Sequence, residues 1–413
     1  MKALLLSAYD AESHRLWRHN LQSMFPQFQW QELILPARYF AWRVRGNSLS
    51  WAFNHRATLT DNYDLLLTTS MTDLSALRGF VPALARVPTA VYCHENQFAY
   101  PANPDPRAPR PNPVEPQMLS LYTALCADQL IFNSAYNRDT FMQGVSELLG
   151  KLPDHVPAGL VQRLQHARVI PVPLSEDVFV PTAPACKASE PDVLNIVWNH
   201  RWEYDKGPDL LLAIVEQLIA SEVRFRMHLL GQRFRQAPPS LQRLQALLER
   251  HCAALGIAPG HSGYIADRQA YCALLASADV VLSTALHDFQ GLSLLEATAL
   301  GCTPLAPQRL VYPEYLSPEF LYAATATEDE QPAAEALAAV QRLQDWARRK
   351  AMGKALPKAA VTRFRQSSLQ EDYADLLHAL AGGPVTAGQV IEGQVPEDQE
   401  IARQHTDEPP AEG

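Results

Sequence analysis

Short apolar runs alternate along the chain with longer segments in which apolar residues recur at helical spacing. The short runs suit strands buried on both faces of a parallel sheet, and the longer segments suit helices. The first half is therefore predicted to be a doubly wound α/β domain. Its first helix is predicted to be capped by Ser13 and to run to residue 21. Its strands are predicted at residues 2–7, 30–35, 65–69, 89–93, 129–132 and 168–171.

A second alternating pattern follows a segment rich in Pro and Ala. It predicts strands at residues 193–198, 225–230, 263–265, 280–282 and 303–305, a helix over 210–218 that begins at Pro208, and a further helix that opens at 311–314. We therefore expect domains at 1–180 and 193–356, joined by a linker at 181–192. Helices within 357–382 are expected to pack back across the first domain. The acidic tail, 383–413, is expected to be disordered.

The length of 413 residues gives room for two cores with a cleft between them. No apolar run reaches membrane-spanning length and the N-terminal run is too short for a signal peptide, so we expect a soluble cytoplasmic protein without membrane contact. The six cysteines are scattered without a Cys-x-x-Cys pair, which predicts neither a zinc site nor a disulfide framework. The first half lacks a Gly-x-Gly-x-x-Gly fingerprint, which argues against a dinucleotide cofactor.

The segment 287–297 carries the clearest chemical signal. It follows an apolar strand and enters a helix, so the backbone N–H groups of Gly291, Leu292 and Ser293 are predicted to form an anion site at a helix start. Asp288 and Glu296 flank this site, and carboxylates accept bonds from hydroxyl groups. A ligand with phosphate in the middle and polyol at both ends fits, which describes a nucleotide sugar. The alternative is that Asp288 is a helix N-cap and Glu296 an exposed helical acid.

Two further loops follow predicted strands. Arg201 and Lys206 lie in the loop before the helix at 210–218 and are predicted to face the same crevice, unless they are solvated loop charges. Residues 94–97, His-Glu-Asn-Gln, follow the strand at 89–93, at the edge where open α/β sheets bind ligands. We therefore favour a functional role for His94. The Pro-rich segment 101–116 is predicted to be a loop, either a lid or acceptor wall or a disordered connection.

The net charge of −9 is uneven. Residues 1–175 contain 15 Lys and Arg against 13 Asp and Glu, whereas the remainder contains 20 against 31. This argues against a general nucleic-acid coat and leaves room for a local basic face in the first half. Residues 36–56 interleave aromatics with Arg38, Arg43, Arg45 and Arg56 and contain no acid. They suit phosphate contact with base stacking, or equally an amphipathic helix with buried aromatics and solvated arginines.

With these residues the chain resembles the tRNA-queuosine α-mannosyltransferases, enzymes that move mannose from GDP-mannose to the queuosine base of tRNA-Asp. The resemblance extends from Ser13 to the region of Tyr322. It is carried by Ser13-His14, 36–45, 94–97, 132–134, 200–203, Asp205-Lys206, His287-Asp288, Gly291, 295–297 and 311–314. The donor half resembles many glycosyltransferases, whereas the Trp42-Arg43 block and 94–97 are closer to this family. One departure is Asp288, where the family usually has Glu.

The resemblance implies a GT-B fold, in which two doubly wound Rossmann-like domains face a central cleft, and a retaining transfer without metal or cofactor. Arg201 and Lys206 would neutralise the leaving diphosphate, while Asp288 and His94 would hold mannose hydroxyl groups. Glu296 would hold the ribose. The base would lie at Tyr264 and Ile265, although guanine and uracil stay open. The implied acceptor-binding residues are Ser13, His14, Arg38, Trp42, Arg43, Arg45, Glu95, Asn96 and Gln97.

Two other functions remain compatible with the sequence. One is a GT-B transferase that glycosylates a lipid or a small glycoside. The other is an inactive GT-B protein that binds RNA, although the presence of Arg201, Lys206 and Glu296 together argues against it. The arginine-aromatic segment favours RNA over lipid as the acceptor.

Overall fold

The computed structural model describes residues 1–100, 114–153, 159–180, 190–233, 238–324 and 332–382. Within these ranges the chain forms two six-stranded parallel sheets. The strands of the first are β1 (Lys2–Asp10), β2 (Gln29–Pro36), β3 (Leu65–Thr69), β4 (Thr89–Cys93), β5 (Gln129–Phe132) and β6 (Arg168–Val169), in the order β2-β1-β3-β4-β5-β6. The chain leaves the adjacent strands β1 and β3 in opposite directions, which opens a crevice at their carboxyl ends.

The second sheet has the same design. Its strands are β7 (Leu194–Asn199), β8 (Phe225–Leu230), β9 (Ser262–Gly263), β10 (Val280–Leu282), β11 (Thr303–Pro307) and β12 (Leu321–Tyr322), in the order β12-β11-β10-β7-β8-β9. Here β7 and β10 are the adjacent strands from which the chain departs in opposite directions. The loops after these two strands therefore meet at one crevice.

Thirteen α-helices connect and cover the strands of the described ranges. In the first half they are α1 (Glu12–Met24), α2 (Phe40–Asn54), α3 (Arg56–Leu59), α4 (Leu74–Phe80), α5 (Val114–Leu125), α6 (Ala135–Leu149) and α7 (Gly159–Leu164). The others are α8 (Pro208–Ala220), α9 (Pro239–Leu255), α10 (Arg268–Ser277), α11 (Leu292–Ala299), α12 (Pro332–Ala351) and α13 (Gln366–Gly382).

The sequence of strand β1 is apolar without alternation because both faces of the strand are buried. Leu4 and Leu6 join one buried cluster, and Ala3 and Leu5 join another on the opposite face of the sheet. Successive side chains point to opposite faces, so a strand covered by helices on both sides needs apolar residues at every position. The same burial pattern extends over all five residues of β3 and of β4.

The C-terminal helix α13 packs against the first sheet. The hydroxyl of Tyr373 accepts a hydrogen bond from the indole of Trp17 at 3.1 Å and donates one to the carbonyl of Pro171 at 3.0 Å. Leu369, Leu376 and Leu377 share the cluster that contains Trp17. The end of the described chain is therefore bound to the first half.

Polar contacts among the described residues link the halves, and two of them lie near the cleft. The Gln290 side-chain amide donates to the carbonyl of Val172 and accepts from its N–H group, both at 2.9 Å, and both residues are buried. The carboxylate of Glu314 accepts hydrogen bonds from the N–H groups of Ala135 and Tyr136 at the start of α6. A negative side chain at a helix N-terminus is favourable, so these contacts fix one half against the other.

Several element predictions were wrong in detail. Helix α1 begins after Ala11, so Ser13 lies in its first turn and does not cap it. Strand β9 ends at Gly263. Residues 311–314 contain only a short 3-10 helix, Tyr312–Glu314. Residues 114–116 of the predicted Pro-rich loop already belong to α5, because a proline is tolerated in the first turn. The other predictions for 101–113, for 181–189 and for the tail 383–413 lie outside the described residues.

Candidate active site

The loop from β10 to α11 is predicted to bind the donor and is named the donor-side loop for that reason. It turns at Gly291. This residue has φ of 74°, a left-handed conformation that favours glycine, and an added Cβ would lie 2.8 Å from the Tyr315 hydroxyl. The Gly291 N–H group donates to the carboxylate of Asp288 at 3.1 Å. The prediction that this N–H is free for an anion is therefore wrong. The N–H groups of Leu292 and Ser293 lie in the first turn of α11, where a helix provides no acceptor.

The carboxylate of Asp288 has a second partner, because the Tyr312 hydroxyl donates to it at 3.0 Å. Burial raises the pKa of Asp288, but the positive charge of Lys206 and the hydrogen bond from Tyr312 outweigh it and hold this pKa below its usual value. Asp288 is therefore ionised at neutral pH. The alternative that Asp288 is the helix N-cap is wrong, because Gly291 occupies that position. Asp288 instead binds the N–H group of Gly291 in the loop, which leaves acceptor capacity for hydroxyl groups.

Lys206 lies in a short 3-10 helix, Tyr204–Lys206, that follows the loop after β7. Its buried ammonium donates to the carbonyl of His287 at 2.6 Å and lies 3.2 Å from the carboxylate of Asp205. The carbonyl of His287 belongs to the residue before Asp288. The structure therefore places this cation directly beside the donor-side loop, at the crevice between β7 and β10.

Arg201 lies in the same loop but is half-exposed. Its guanidinium nitrogens lie 2.6 Å from a carboxylate oxygen of Glu203 and 3.7 Å from one of Asp205. Asp205 thus contacts both predicted cations and holds them in one cluster. Glu203 and Asp205 belong to the motifs that carry the resemblance, but the sequence predicted no role in the site for either. Their position two and four residues after Arg201 was the available signal.

Glu296 is held by two side chains of α10. One carboxylate oxygen lies 2.9 Å from the guanidinium of Arg268, and the other accepts a hydrogen bond from the Tyr271 hydroxyl at 3.1 Å. Burial raises the pKa of Glu296, and Arg268 and Tyr271 reduce this effect without cancelling it. Glu296 is therefore not the exposed helical acid of the alternative interpretation. Nothing in the sequence spacing pointed to Arg268 and Tyr271.

On the acceptor side, His94 follows β4 and stacks on His14 of α1. The ring centroids are 4.0 Å apart, and both side chains are buried. All four ring nitrogens lack a hydrogen-bond partner among the described residues, and the nearest carboxylate oxygen is that of Glu95, 3.6 Å from His14 Nε2. Burial, and then the neighbouring His14, lower the pKa of His94 far below its usual value. His94 is therefore a neutral imidazole, and it has unused donor and acceptor atoms.

Residues 95–97 have three different environments. Burial raises the pKa of Glu95, but His14 and Arg201 more than offset it and lower the pKa. Asn96 is buried and bonds to the side chain and carbonyl of Asn137, and its oxygen accepts from two backbone N–H groups. These bonds support a structural role in place of the predicted acceptor contact. The Gln97 amide lies 3.8 Å from the sulfur of Met71.

The two halves approach each other at this cleft. The ring of Tyr100, which follows β4 by seven residues, contacts the ring of His287 at a centroid distance of 4.5 Å. Its hydroxyl also interacts with Arg201 across the cleft. The imidazole pair and the donor-side cations therefore face one space. Of the other predicted residues, Ser13 is half-buried on α1, Tyr264 is exposed just after β9, and Ile265 is partly buried beside it.

The arginine-aromatic segment forms helix α2 and combines both predicted alternatives. Trp51 and Val44 enter the core, as expected of an amphipathic helix, while four aromatic side chains remain exposed. Arg45 pairs with Asp73 and Glu115, and Arg56 donates to the carbonyl of Phe80. Part of the hydrogen-bonding and charge capacity of these two arginines is therefore used within the chain, and their contact with RNA phosphates stays a prediction. Arg38 and Arg43 have no acidic partner among the described residues.

Comparisons with known proteins match the two halves of the chain to two family models. Residues 2–174 match a family model for the N-terminal part of tRNA-queuosine alpha-mannosyltransferase, and residues 187–359 match a model for glycosyl transferases group 1. A tRNA-queuosine alpha-mannosyltransferase from Drosophila melanogaster is 30% identical over 295 residues, which are 70% of this chain and 74% of that protein. The chain belongs to the tRNA-queuosine alpha-mannosyltransferase family. It is therefore a glycosyltransferase.

Solved structures show the fold of this family member. Sucrose-phosphate synthase from Thermosynechococcus elongatus has a TM-score of 0.64 at 14% identity, and the match covers 93% of this chain and 100% of that one. Anabaena HepE in complex with UDP and glucose has a TM-score of 0.59 at 15% identity, with 92% and 100% covered. The chain has the GT-B fold, which confirms the predicted fold class. Among the described helices, none combines the length and the apolar composition that crossing a bilayer requires.

Proposed function

We propose that this member of the tRNA-queuosine alpha-mannosyltransferase family transfers mannose from GDP-mannose to the queuosine base of tRNA-Asp, with retention at the sugar. The Drosophila relative is named for mannosyl transfer to queuosine in tRNA. The family-specific match covers the half that contains the imidazole pair and helix α2, and the general glycosyltransferase match covers the half with the cations. This division suits an acceptor site in the first half and a donor site in the second.

The observation that carries the proposal is the position of Lys206 beside Asp288. The ammonium bonds to the carbonyl of His287, so a buried cation and an ionised carboxylate lie next to each other at the start of α11. A nucleotide sugar needs this combination, because its diphosphate requires positive charge and its sugar presents hydroxyl groups. Arg201 adds a second cation at the same crevice.

In the proposed reaction, the bond between C1 of mannose and the diphosphate oxygen breaks while the acceptor hydroxyl oxygen bonds to C1 from the same face. The hydroxyl proton passes to the departing diphosphate oxygen, so no protein nucleophile is required. Negative charge grows on the diphosphate during this step. Lys206 and Arg201 therefore stabilise the transition state more than the ground state. Asp288 and the neutral imidazole of His94 hold mannose hydroxyl groups.

We propose that the reaction needs neither a metal ion nor a cofactor. The two cations and the first turn of α11 are the groups that would neutralise the diphosphate, a task that a divalent ion performs in other glycosyltransferases. Glu296, fixed by Arg268 and Tyr271, would hold the ribose. Tyr264 and Ile265 would lie against the base.

The test is transfer by the purified protein. Queuosine-containing tRNA-Asp is incubated with GDP-mannose, UDP-glucose or UDP-galactose, and its nucleosides are analysed by mass spectrometry. We expect a mannosylated queuosine nucleoside with GDP-mannose alone, and no product on tRNA that lacks queuosine. Equal transfer to tRNA without queuosine would refute the acceptor assignment. Transfer from a UDP-sugar alone would refute the donor assignment, and transfer only to lipids or small glycosides would replace both with the alternative enzyme class.

A further inference from the structure

Trp42 is the exposed tryptophan of this protein. The chain contains seven tryptophans, all within the described residues, and the other six are buried or half-buried while Trp42 is 52% exposed. Its indole lies over Gly46, one turn further along α2. A Cβ added at Gly46 would lie 2.4 Å from the indole ring. Because Gly46 has no side chain, the indole ring of Trp42 can lie close to the helix at this position. About half of the surface of Trp42 remains exposed to solvent.

The residues around Trp42 are aromatic and basic. Tyr39 is 73% exposed and precedes α2 in a left-handed conformation, φ 57°, which is uncommon for a residue other than glycine. Strained backbone of this kind persists where the surroundings fix it and is concentrated at functional sites. The Arg38 guanidinium lies 5.8 Å from the Tyr39 ring, and the Nε atom of Arg43 is buried without a hydrogen-bond partner among the described residues. Arg38 and Arg43, which have no acidic partner among the described residues, therefore stand on either side of Trp42 in the sequence.

This surface is continuous with the active site. Phe40, at the start of α2, contacts the ring of Tyr9 edge-on at a centroid distance of 5.7 Å. Tyr9 in turn lies near the carboxyl end of β1, at the edge of the sheet where the crevice opens. A ligand that enters the cleft from this side therefore passes the α2 surface.

We propose that Trp42 stacks on an unpaired nucleobase of the RNA acceptor, while Arg38 and Arg43 contact the adjoining phosphates. The inference rests on the proposed function, since it assigns a contact to its RNA substrate. Any nucleobase offers a flat π-face, and an aromatic ring flanked by cations matches a base with its phosphate. An apolar protein partner would leave the charges of Arg38 and Arg43 without a counterpart. RNA supplies both partners at once.

The test compares variants at Trp42 in binding to a fluorescently labelled anticodon stem-loop RNA, followed by anisotropy. Stacking contributes about 1–3 kcal/mol for each base, so Trp42→Ala should weaken RNA binding by about fivefold to a hundredfold. Trp42→Phe, which keeps a π-face, should retain most of the affinity, and Trp42→Leu, which keeps only apolar volume, should not. Tyr122→Ala is the matched control, because this tyrosine is similarly exposed, at 47%, on helix α5. Its RNA affinity should equal that of the wild type.

Transfer assays separate this inference from the proposed function. Trp42→Ala should raise KM for tRNA and leave both GDP affinity and hydrolysis of GDP-mannose unchanged. Wild-type RNA affinity in Trp42→Leu would overturn the stacking proposal even if the enzyme mannosylates tRNA. Wild type that binds the stem-loop through Trp42 but never transfers mannose would instead overturn the proposed function. If Trp42→Ala keeps its RNA affinity and loses self-association in sedimentation, the surface is a protein interface and the proposal is wrong.

Discussion

The Tyr312 hydroxyl donates a hydrogen bond to the carboxylate of Asp288 at 3.0 Å. Since the Gly291 N–H group binds the other oxygen, the carboxylate is held at both ends. The tyrosine is itself buried and bonds to the hydroxyl of Ser283. Asp288 is therefore a hydrogen-bond acceptor with a fixed orientation in the cleft. Its short side chain is oriented by Tyr312, 24 residues further along the chain.

The first prediction separates the two carboxylates of the donor side. Asp288→Asn should lower kcat by about tenfold to a hundredfold, because a hydrogen bond to a charged group contributes about 1.5–3 kcal/mol. Its affinity for GDP should stay close to that of the wild type, since GDP has no mannose for Asp288 to hold. Glu296→Gln should weaken GDP binding as well. Steady-state kinetics and calorimetric titration with GDP measure these effects, and equal loss of GDP affinity in both variants would show that the roles are assigned wrongly.

The second prediction concerns the cations. Lys206→Ala should lower kcat/KM by about 2–4 kcal/mol of transition-state stabilisation, or roughly thirtyfold to a thousandfold. Arg201→Ala should cost less, because its guanidinium is half-exposed and shared with Glu203. Single-turnover transfer measures both effects. Lys354→Ala, which removes an exposed lysine after α12, is the control for loss of charge alone. Wild-type turnover in Lys206→Ala would contradict the site.

The third prediction is that transfer continues in excess EDTA. The two cations and the first turn of α11 neutralise the diphosphate in the proposed reaction, so the charge of a divalent ion is not needed. The rate is compared before and after dialysis against EDTA. A rate that disappears with EDTA and returns with Mg²⁺ or Mn²⁺ would show that the leaving group is neutralised differently.

The fourth prediction is a dependence of stability on pH. Burial, and then the charge of Lys206, lower the pKa of His200 and of His287 to about 4. The unfolded chain therefore takes up these protons near the usual imidazole pKa, at higher pH than the folded protein. Stability should be full above about pH 6.5 and should fall as the pH decreases towards 4, by at most about 1.4 kcal/mol per pH unit for each histidine.

Thermal melts between pH 7.5 and 4.5 measure this dependence. His200→Gln and His287→Gln should each make the fall of Tm shallower. His55→Gln removes an exposed histidine and should leave the slope unchanged. An identical slope in all three variants would mean that neither buried imidazole titrates as described.

The fifth prediction divides the four arginines of the segment 36–56 into two pairs. Reversal of Arg38 and Arg43 to Glu should raise KM for tRNA strongly and lower the slope of log affinity against log salt by about 1.5, as expected for two phosphate contacts. Arg56→Gln should leave tRNA affinity unchanged, because its guanidinium binds the carbonyl of Phe80. The control measurement is GDP-mannose hydrolysis, which should not change in either variant. Normal tRNA modification by the reversed pair would place the RNA elsewhere.

The sequence was sufficient for features that depend on local pattern. The strands β3, β4, β5 and β8 were predicted with their bounds as the structure has them. Each is a short, mostly apolar run, and the ends of such a run mark where a buried parallel strand begins and ends. The loops after β7 and β10 could be placed in one crevice, since strand order alone brings them together.

The rest depended on partners far along the chain. Arg45 was taken as free because its segment contains no acid, yet it pairs with Asp73 and Glu115, 28 and 70 positions away. Asn96 was placed among the acceptor residues, whereas it bonds to Asn137 of α6. Spacing along a chain contains no information about such tertiary neighbours, so charges and amides could not be divided into those that bind a ligand and those used internally.

The reciprocal pair between Gln290 and Val172 makes the donor-side loop part of the joint between the halves. Gln290 follows Asp288 by two residues, and Val172 lies in the segment that leaves β6. Any rotation that separates the halves at this point breaks both hydrogen bonds and releases the loop that orients Asp288. Donor binding and the relative orientation of the halves are then thermodynamically linked, and this linkage acts equally in both directions. Occupation of the cleft by one substrate should therefore change the affinity for the other, even where the two never touch.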